Sequence, residues 1–269
     1  MTIHFDGIKI NVKIQGDNDE LSPILFVHGF SGSNEDWKNI CSNIKNRKLI
    51  CVDLPGHGNS EIPKETKYYK QDALVNLIEF IRYSLNLGKI ILVGYSMGGR
   101  LALSYAVKFY NHLEKLVLES SSPGLLSDEE KEIRKKEDNR VADFIVENTI
   151  EDFINLWLSQ DIFKSLQNLP PDKKNKLREA KLKNNRIGLA NMLRGFGTGE
   201  MNSVWNELAK INCEVLIVAG ELDSKYIKIS KRIQDKIRKS KLKIIPGVGH
   251  NTHLENENEF LRVLESFIK

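Results

Sequence analysis

The stretch Gly94-Tyr95-Ser96-Met97-Gly98-Gly99 decides the fold. It follows an apolar run and precedes a segment with helical spacing. In that context a G-x-S-x-G motif is typical of a nucleophile elbow, a strained turn that exposes the serine hydroxyl. A glycine-rich turn with a solvated serine is the alternative. A dinucleotide-binding loop is excluded, because Ser96 occupies the position of the second glycine and the motif follows a later strand.

A reactive serine needs a base and a group that orients the base. Asp223 and His250 each follow an apolar run in the second half of the chain. The order serine, acid, histidine, with each residue after the end of a strand, is one of the known arrangements of a catalytic triad. We therefore predict Ser96, Asp223 and His250 as the catalytic residues, with Glu221 and Glu119 as alternative acids.

The apolar runs alternate with amphipathic segments along the chain. The alternating pattern of Ile8–Ile14 predicts an antiparallel strand with one wet face. Nearly continuous apolar runs predict strands buried on both faces: Pro23–Val27, Leu49–Val52, Lys89–Val93, Lys115–Leu118, Val215–Ala219 and Leu242–Ile245. Segments with helical spacing, such as Gln71–Ser84, lie between them. The alternation predicts an α/β fold with a mostly parallel central sheet flanked by helices.

One part of the chain interrupts this alternation. Residues 123–207 contain only a charged helical pattern, with apolar positions such as Phe153 and Trp157. A helical insertion between two sheet strands predicts a cap, although peripheral helices without a role in binding remain an alternative. We expect a core of residues 1–122 and 208–269 and a helical cap of residues 123–207.

Composition narrows the class of protein further. The 269 residues are 41% hydrophobic and 28% charged, which excludes a disordered or low-complexity chain. The formal net charge of +4 comes from interspersed charges, so we expect no nucleic-acid partner but allow a small anionic substrate. No apolar run is long enough to span a bilayer. Cys41, Cys51 and Cys213 form no C-x-x-C pair, and Cys51 and Cys213 are expected to be buried thiols, which favours a cytoplasmic location.

An oxyanion hole needs two backbone donors. The N–H of Met97, directly after the serine, is one candidate, and the N–H of Phe30, at the end of Val27-His28-Gly29-Phe30, is the other. Histidines and acids elsewhere lack metal-ligand spacing such as H-E-x-x-H, so neither a metal nor another cofactor is expected.

Four motifs together resemble the α/β-hydrolase superfamily: Val27-His28-Gly29-Phe30, Asp53-Leu54-Pro55-Gly56-His57-Gly58, the serine motif and Gly249-His250-Asn251. Two further features, Arg100 after the double glycine and the stretch Leu118–Leu125, resemble the 2-succinyl-6-hydroxy-2,4-cyclohexadiene-1-carboxylate synthases of menaquinone biosynthesis. The resemblance implies an α/β-hydrolase fold with a cap across nearly the whole chain.

The same resemblance implies a lyase that eliminates pyruvate from a substrate with several carboxylates. The serine oxygen would then act as a base instead of a nucleophile. The expected substrate-binding residues are Tyr95, Arg100, Arg134, Trp157 and Lys181. Lys181 stands where the family has a third arginine and lacks its bidentate fork, so Arg178 or Arg194 could take that role.

Two other classes of function remain at this stage. A capped serine hydrolase acting on esters or C–C bonds would use the same triad. Its pocket should be mainly apolar, whereas cations in the cap favour an anionic substrate. A non-catalytic binding protein on this fold would have lost a member of the triad, and none is missing. The sequence leaves the oligomeric state open.

Overall fold

A computed structural model describes residues 1–18 and 20–269 and contains one eight-stranded sheet. Its strands are β1 (Thr2–Phe5), β2 (Ile8–Gln15), β3 (Ile24–Val27), β4 (Leu49–Val52), β5 (Ile90–Tyr95), β6 (Leu113–Glu119), β7 (Glu214–Gly220) and β8 (Ser240–Ile245). The spatial order is β1-β2-β4-β3-β5-β6-β7-β8. Strands β1 and β2 pair antiparallel with their neighbours, and all other pairs are parallel.

Helices connect the parallel strands and cover both faces of the sheet. They are α1 (Lys38–Asn43), α2 (Gln71–Ser84), α3 (Met97–Lys108), α4 (Asp128–Glu147), α5 (Ile150–Leu158), α6 (Pro171–Leu182), α7 (Arg186–Phe196), α8 (Ser224–Gln234), α9 (Thr252–Glu255) and α10 (Glu257–Ile268). None of the helices in the described residues is long and apolar enough to cross a membrane. The architecture confirms the predicted α/β fold with a mostly parallel sheet.

Side-chain alternation along the central strands produces two hydrophobic layers. Successive residues of a strand point to opposite faces, so Leu25 and Leu92 pack with α2, α3 and α8, while Phe26 and Val93 pack with α1 and α10. All four side chains are fully or almost fully buried. The continuous apolar runs of the sequence therefore correspond to strands covered on both faces.

Helices α4–α7 occur in the chain between β6 and β7, and residues 120–213 contain no strand. These helices have a hydrophobic cluster of their own, with Ala142, Ile145, Phe153, Ile154, Leu189, Ala190 and Leu193 at its centre. Phe30, from the loop after β3, packs against this cluster. This arrangement supports the proposed division into a core and a cap of residues 123–207.

The cap contacts the core through a glycine pair. Gly188, near the start of α7, lies against Gly56, whose φ of +76° places it in the left-handed region. A Cβ at Gly188 would overlap the carbonyl oxygen of Gly56. The two backbones approach this closely only because both residues lack side chains.

We expect Gly188→Ala to destabilise the protein, because the added methyl group separates cap and core or strains the Gly56 turn. The loss should be about 1–3 kcal/mol, the usual cost of overpacking. Chemical denaturation of the purified variant measures it. Gly88→Ala is the matched control, since a Cβ there meets no atom within 4 Å and should change stability by less than about 0.5 kcal/mol. Equal stabilities of the two variants would contradict close packing at Gly188.

Candidate active site

Ser96 lies in the turn between β5 and α3 with a backbone strained for a non-glycine residue. Its φ is +50° and its ψ is −107°. A Cβ at Gly98 would overlap the carbonyl oxygen of Val27, and a Cβ at Gly94 would overlap that of Gly98. The Ser96 N–H donates to the carbonyl oxygen of Glu119 on the neighbouring strand, 2.9 Å away. Close backbone packing therefore holds the elbow in its strained form.

The loops after β7 and β8 lie against each other. The Leu222 N–H donates to the Val248 carbonyl oxygen at 2.9 Å, and a Cβ at Gly220 would overlap the carbonyl oxygen of Gly249. Asp223 then begins α8 as its N-cap and accepts from the Tyr226 N–H at 3.2 Å. These backbone contacts fix the position of the Asp223 side chain relative to His250.

The structure brings the three predicted catalytic residues together. Ser96 Oγ lies 2.9 Å from His250 Nε2, and His250 Nδ1 lies 2.7 Å from Asp223 Oδ2. The side chains of His250 and Asp223 are 2% and 7% exposed, so little water competes for this pair. With Asp223 accepting the Nδ1 proton, Nε2 is left with a lone pair directed at the serine hydroxyl. That arrangement allows His250 to remove the Ser96 proton.

The alternative acids contact other groups. Glu119 is fully buried and accepts from Thr252 Oγ1 at 2.7 Å, and one of its oxygens lies 2.7 Å from His253 Nδ1. Glu221 is exposed and accepts from the Gly247 N–H. Glu119 and His253 thus form a second buried carboxylate–histidine pair beside the first. Burial lowers the pKa of His253, but the charge of Glu119 and its hydrogen bond outweigh burial and raise the pKa above its usual value.

Phe30 and Met97, whose backbone N–H groups are the predicted oxyanion donors, line the same cavity as Ser96. Met97 is the first residue of α3, where the N–H has no partner within the helix. The Phe30 N–H belongs to the same peptide unit as the Gly29 carbonyl. That carbonyl accepts from the Gly32 N–H at 3.0 Å and lies 2.7 Å from His28 Nδ1. Because His28 Nε2 accepts from a backbone N–H at 3.1 Å, Nδ1 carries the proton and donates to Gly29.

A cavity of about 1140 Å³ opens above the triad between the core and helices α4–α7. Ser96, His250, Phe30 and Met97 line it. Its other lining side chains include aromatic residues (Trp157, Phe163, Trp205, Tyr226), cations (Arg100, Arg134, Lys164, Lys225, Arg232) and carboxylates (Glu130, Glu137, Asp138, Asp161, Asp223). The aromatic and cationic side chains can contact a small ring bearing negative charges, while the carboxylates offset part of the positive charge of the lining.

The predicted substrate-binding residues divide into two groups. Arg100, Arg134 and Trp157 line the cavity. Arg100 is buried on α3, donates through Nη1 to the Phe196 carbonyl oxygen at 2.9 Å, and lies over the Phe196 ring. Burial lowers the pKa of Arg100 to about 10, which leaves it charged at neutral pH. Arg134 is partly exposed, and its Nε lies 2.7 Å from an oxygen of Asp138.

The other candidates lie outside the lining of the cavity. The Tyr95 ring is buried against the rings of His250 and His253, with centroids 5.5 and 5.0 Å away. Lys181 is buried against Ser31. No contact in the structure supports the predicted substrate contacts of these two residues. The alternatives to Lys181 are also absent from the lining of the cavity: Arg178 pairs with Glu151 and Arg194 with Asp143.

Several lining residues were missed in the sequence. Tyr226 packs edge-on against the His250 ring at 4.6 Å, and Arg232 lies 4.6 Å from the centre of the Trp205 ring. A signal was present: residues 224–243 contain nine Lys and Arg but one acidic residue, Asp235. The prediction that positive and negative charges are interspersed along the chain is therefore wrong for this segment.

No group of three or more His, Cys, Asp and Glu side chains in residues 1–18 and 20–269 is arranged to hold a metal ion. The cysteines are reduced and buried, with Cys41 Sγ 3.4 Å from Cys51 Sγ.

The raised pKa of His253 predicts a pH-dependent stability. Protonated His253 stabilises the folded state below the unfolded pKa of about 6.5, and this contribution is lost as pH rises through the raised folded pKa. Raising the pH from about 6 to about 9 should therefore lower the unfolding free energy of the wild type more than that of Glu119→Gln/His253→Gln. Denaturant titrations at each pH measure the difference. His4→Gln, at an exposed position, is the control and should follow the wild type; identical pH profiles for the wild type and the double variant would refute the linkage.

Comparisons with known proteins agree with the fold. A family described by the alpha/beta hydrolase fold matches residues 22–257. A Bacillus subtilis protein named "Putative 2-succinyl-6-hydroxy-2,4-cyclohexadiene-1-carboxylate synthase" is 35% identical over 98% of this chain and 96% of its own length. An Enterobacter protein named 2-succinyl-6-hydroxy-2,4-cyclohexadiene-1-carboxylate synthase is 28% identical over 92% of each chain.

A solved structure gives the same result. The structure of MenH from S. aureus matches with a TM-score of 0.91 and 33% sequence identity, over 96% of this chain and 97% of that one. The similarity therefore includes the cap as well as the sheet. The chain belongs to the α/β-hydrolase family and, within it, to the group of the 2-succinyl-6-hydroxy-2,4-cyclohexadiene-1-carboxylate synthases.

Proposed function

We propose that this protein eliminates pyruvate from 2-succinyl-5-enolpyruvyl-6-hydroxy-3-cyclohexene-1-carboxylate and forms 2-succinyl-6-hydroxy-2,4-cyclohexadiene-1-carboxylate, a step of menaquinone biosynthesis. The observation that carries the proposal is the hydrogen-bonded series Ser96–His250–Asp223, which opens into a cavity with Arg100 on its wall. The series can supply a serine base, and the arginine can bind a carboxylate.

The bond changes follow from the two ring structures. The substrate has a double bond between C3 and C4, whereas the product has double bonds between C2 and C3 and between C4 and C5. The C2–H bond next to the succinyl carbonyl and the C5–O bond to the enolpyruvyl group are therefore lost. The electron pair moves through the ring, and the departing enolpyruvate gains a proton and becomes pyruvate.

The residues of the site match these steps. His250 takes the Ser96 proton, the serine oxygen takes the proton from C2, and Asp223 stabilises the imidazolium. Negative charge moves to the succinyl carbonyl oxygen, where the N–H groups of Phe30 and Met97 can stabilise it. His250 then gives its proton to the departing enolpyruvate, so that each group returns to its starting state.

The binding residues have complementary charge. Arg100 is held through one nitrogen by a backbone carbonyl, and its remaining N–H groups can donate to a substrate carboxylate. Arg134, on the first helix of the cap, lies on the wall of the same cavity. Trp157 offers an aromatic face for the ring. Together these groups would direct the carboxylates toward the cap and the C2 proton toward the serine oxygen.

Pyruvate release from the enolpyruvyl substrate by the purified protein tests the proposal. Because the C2–H bond breaks in the chemical step, deuterium at C2 should slow single-turnover release when chemistry is limiting instead of cap closure. A p-nitrophenyl ester is the control. A capped serine hydrolase would instead release p-nitrophenol in a burst and form a covalent Ser96 adduct detectable by mass spectrometry. A Ser96 adduct with the native substrate, without an isotope effect, would refute the elimination mechanism.

Substitutions in the triad should each lower kcat strongly, with effects that do not add when they are combined. We expect Ser96→Ala, Asp223→Asn and His250→Ala each to lower kcat by at least about 1000-fold, and their combinations to add little, because the three residues act as a unit. Steady-state kinetics of pyruvate release measure this. Glu119→Gln alters the neighbouring carboxylate and should retain far more activity. A dead Glu119→Gln beside an active Asp223→Asn would mean that the acid is misassigned.

Arg100 should contribute mainly to substrate recognition. Arg100→Ala should cost about 2–5 kcal/mol in kcat/KM, the scale for truncating one partner of a buried charge pair. Arg100→Lys should recover only part, since lysine lacks the bidentate fork. Kinetics with the full substrate measure both. Unchanged kcat/KM in Arg100→Ala would remove the argument for an anionic substrate and favour the hydrolase.

A further inference from the structure

The loop that carries the Phe30 N–H is a tight turn with an unfavourable conformation. The hydrogen bond from the Gly32 N–H to the Gly29 carbonyl oxygen makes Phe30 and Ser31 the central residues of the turn. Ser31 has a φ of +58°, a value that favours glycine or asparagine at this position. A non-glycine residue held there costs about 1–3 kcal/mol, so other contacts must maintain it.

Those contacts come from the end of helix α6 in the cap, about 150 residues further along the chain. Lys181 Nζ lies 3.1 Å from Ser31 Oγ and 3.4 Å from the Ser31 carbonyl oxygen. Asn184 Nδ2 donates to the same carbonyl at 2.9 Å and to the Lys181 carbonyl at 2.9 Å. The cap thus binds both the side chain and the backbone of the strained residue.

The position of Lys181 is unusual for a lysine. Its side chain is buried, yet it forms no salt bridge with any residue of the described chain. Burial lowers its pKa, with the charge of Asp36 acting in the opposite direction. A buried ammonium group is costly unless its hydrogen bonds are satisfied, and Ser31 supplies the partners. The contacts with Ser31 therefore account for the buried position of Lys181 without a substrate carboxylate.

We propose that Lys181, together with Asn184, is a positioning residue that holds the Ser31 turn and thereby orients the Phe30 N–H toward the reacting carbonyl oxygen. The inference rests on the oxyanion hole of the proposed function. It assigns Lys181 to catalysis through Ser31 and Phe30, not to direct contact with the substrate. The oxyanion hole is then complete only while the cap is docked on the core.

Phenylboronic acid separates the two roles of Lys181. It has no carboxylate, and its boron bonds to Ser96 Oγ while His250 takes the serine proton, so that a boronate oxygen can occupy the oxyanion hole. Calorimetric titration gives its Kd. The variants are Lys181→Met, which removes the donor, Lys181→Arg, which keeps one, and Lys183→Met, an exposed control on the same segment. Ser96→Ala should lose boronate binding.

We expect Lys181→Met to weaken boronate binding about tenfold and to lower kcat about 10- to 100-fold, because a misplaced donor contributes little to stabilising an oxyanion. KM should change less than about twofold. Lys181→Arg should retain most of both properties, and Lys183→Met should resemble the wild type. A raised KM with unchanged boronate affinity in Lys181→Met would overturn the proposal and assign Lys181 to the substrate.

A second variant decides the matter if Lys181→Met does not fold. Ser31→Ala removes only the hydroxyl partner of Lys181 and keeps the backbone contacts of Asn184, so boronate binding should weaken by a smaller factor. Unchanged boronate binding in Ser31→Ala would then refute the proposal, whereas retained binding in Lys181→Arg is the expected result. The proposed function fails separately: a wild type that binds boronate through Ser96 but releases no pyruvate refutes the elimination alone. A wild type that binds no boronate refutes the oxyanion hole and this inference with it.

Discussion

The close approach of three backbone segments at Ser96 is the constraint on which the site depends. The end of β3, the end of β5 and the start of α3 meet with no room for a Cβ at Gly94 or Gly98. This contact holds Ser96 at a positive φ, with its hydroxyl 2.9 Å from His250 Nε2. It also places Gly98, directly after Met97, against the backbone of Val27 and His28, which lead into the loop that carries Phe30. A larger residue at either glycine would push these backbone segments apart.

The parallel sheet converts this local constraint into a catalytic arrangement. In a parallel sheet the loops after successive strands meet at one edge, so residues far apart in the chain become neighbours. Asp223 follows β7 and His250 follows β8. Backbone hydrogen bonds join the loop after β7 to the end of β8 and the loop that follows it. The short distances within the triad are therefore consequences of strand order. The same machinery can form an alkoxide for attack or for proton removal, and the cavity above it determines which occurs.

Much of this arrangement could be predicted from the sequence, because its signals are local. The serine motif, the continuous apolar runs and the residues after each strand indicate the sheet and bring Ser96, Asp223 and His250 to one edge. The environment of Lys181 could not be predicted in this way. Its partner Ser31 lies 150 residues earlier, and a lysine on a charged helix has the same local pattern whether it faces solvent, substrate or another loop.

Similar reasoning explains why the role of Glu119 stayed open in the sequence. From the sequence, Glu119 at the end of β6 could contact either His250 or His253. Only the packing of the side chains decides which histidine it contacts. His253 stacks on Trp37 with ring centroids 4.3 Å apart and turns toward Glu119. His250 has Tyr226 and Phe163 against its ring and turns toward Asp223. The surrounding aromatic rings therefore select the acid that each histidine meets.

The cap takes part in the same selection, because it contacts the site at more than one point. Phe163 lies against the His250 ring, and Trp157 lies against the Phe30 ring with centroids 5.1 Å apart. Lys181 holds the next residue of the Phe30 loop. An α/β-hydrolase core without these contacts would keep its triad but would lose the support that we propose for the Phe30 N–H. The proposed substrate-binding residues and the proposed oxyanion donors therefore belong to one packed unit, so that under this proposal a change in cap docking affects both binding and rate.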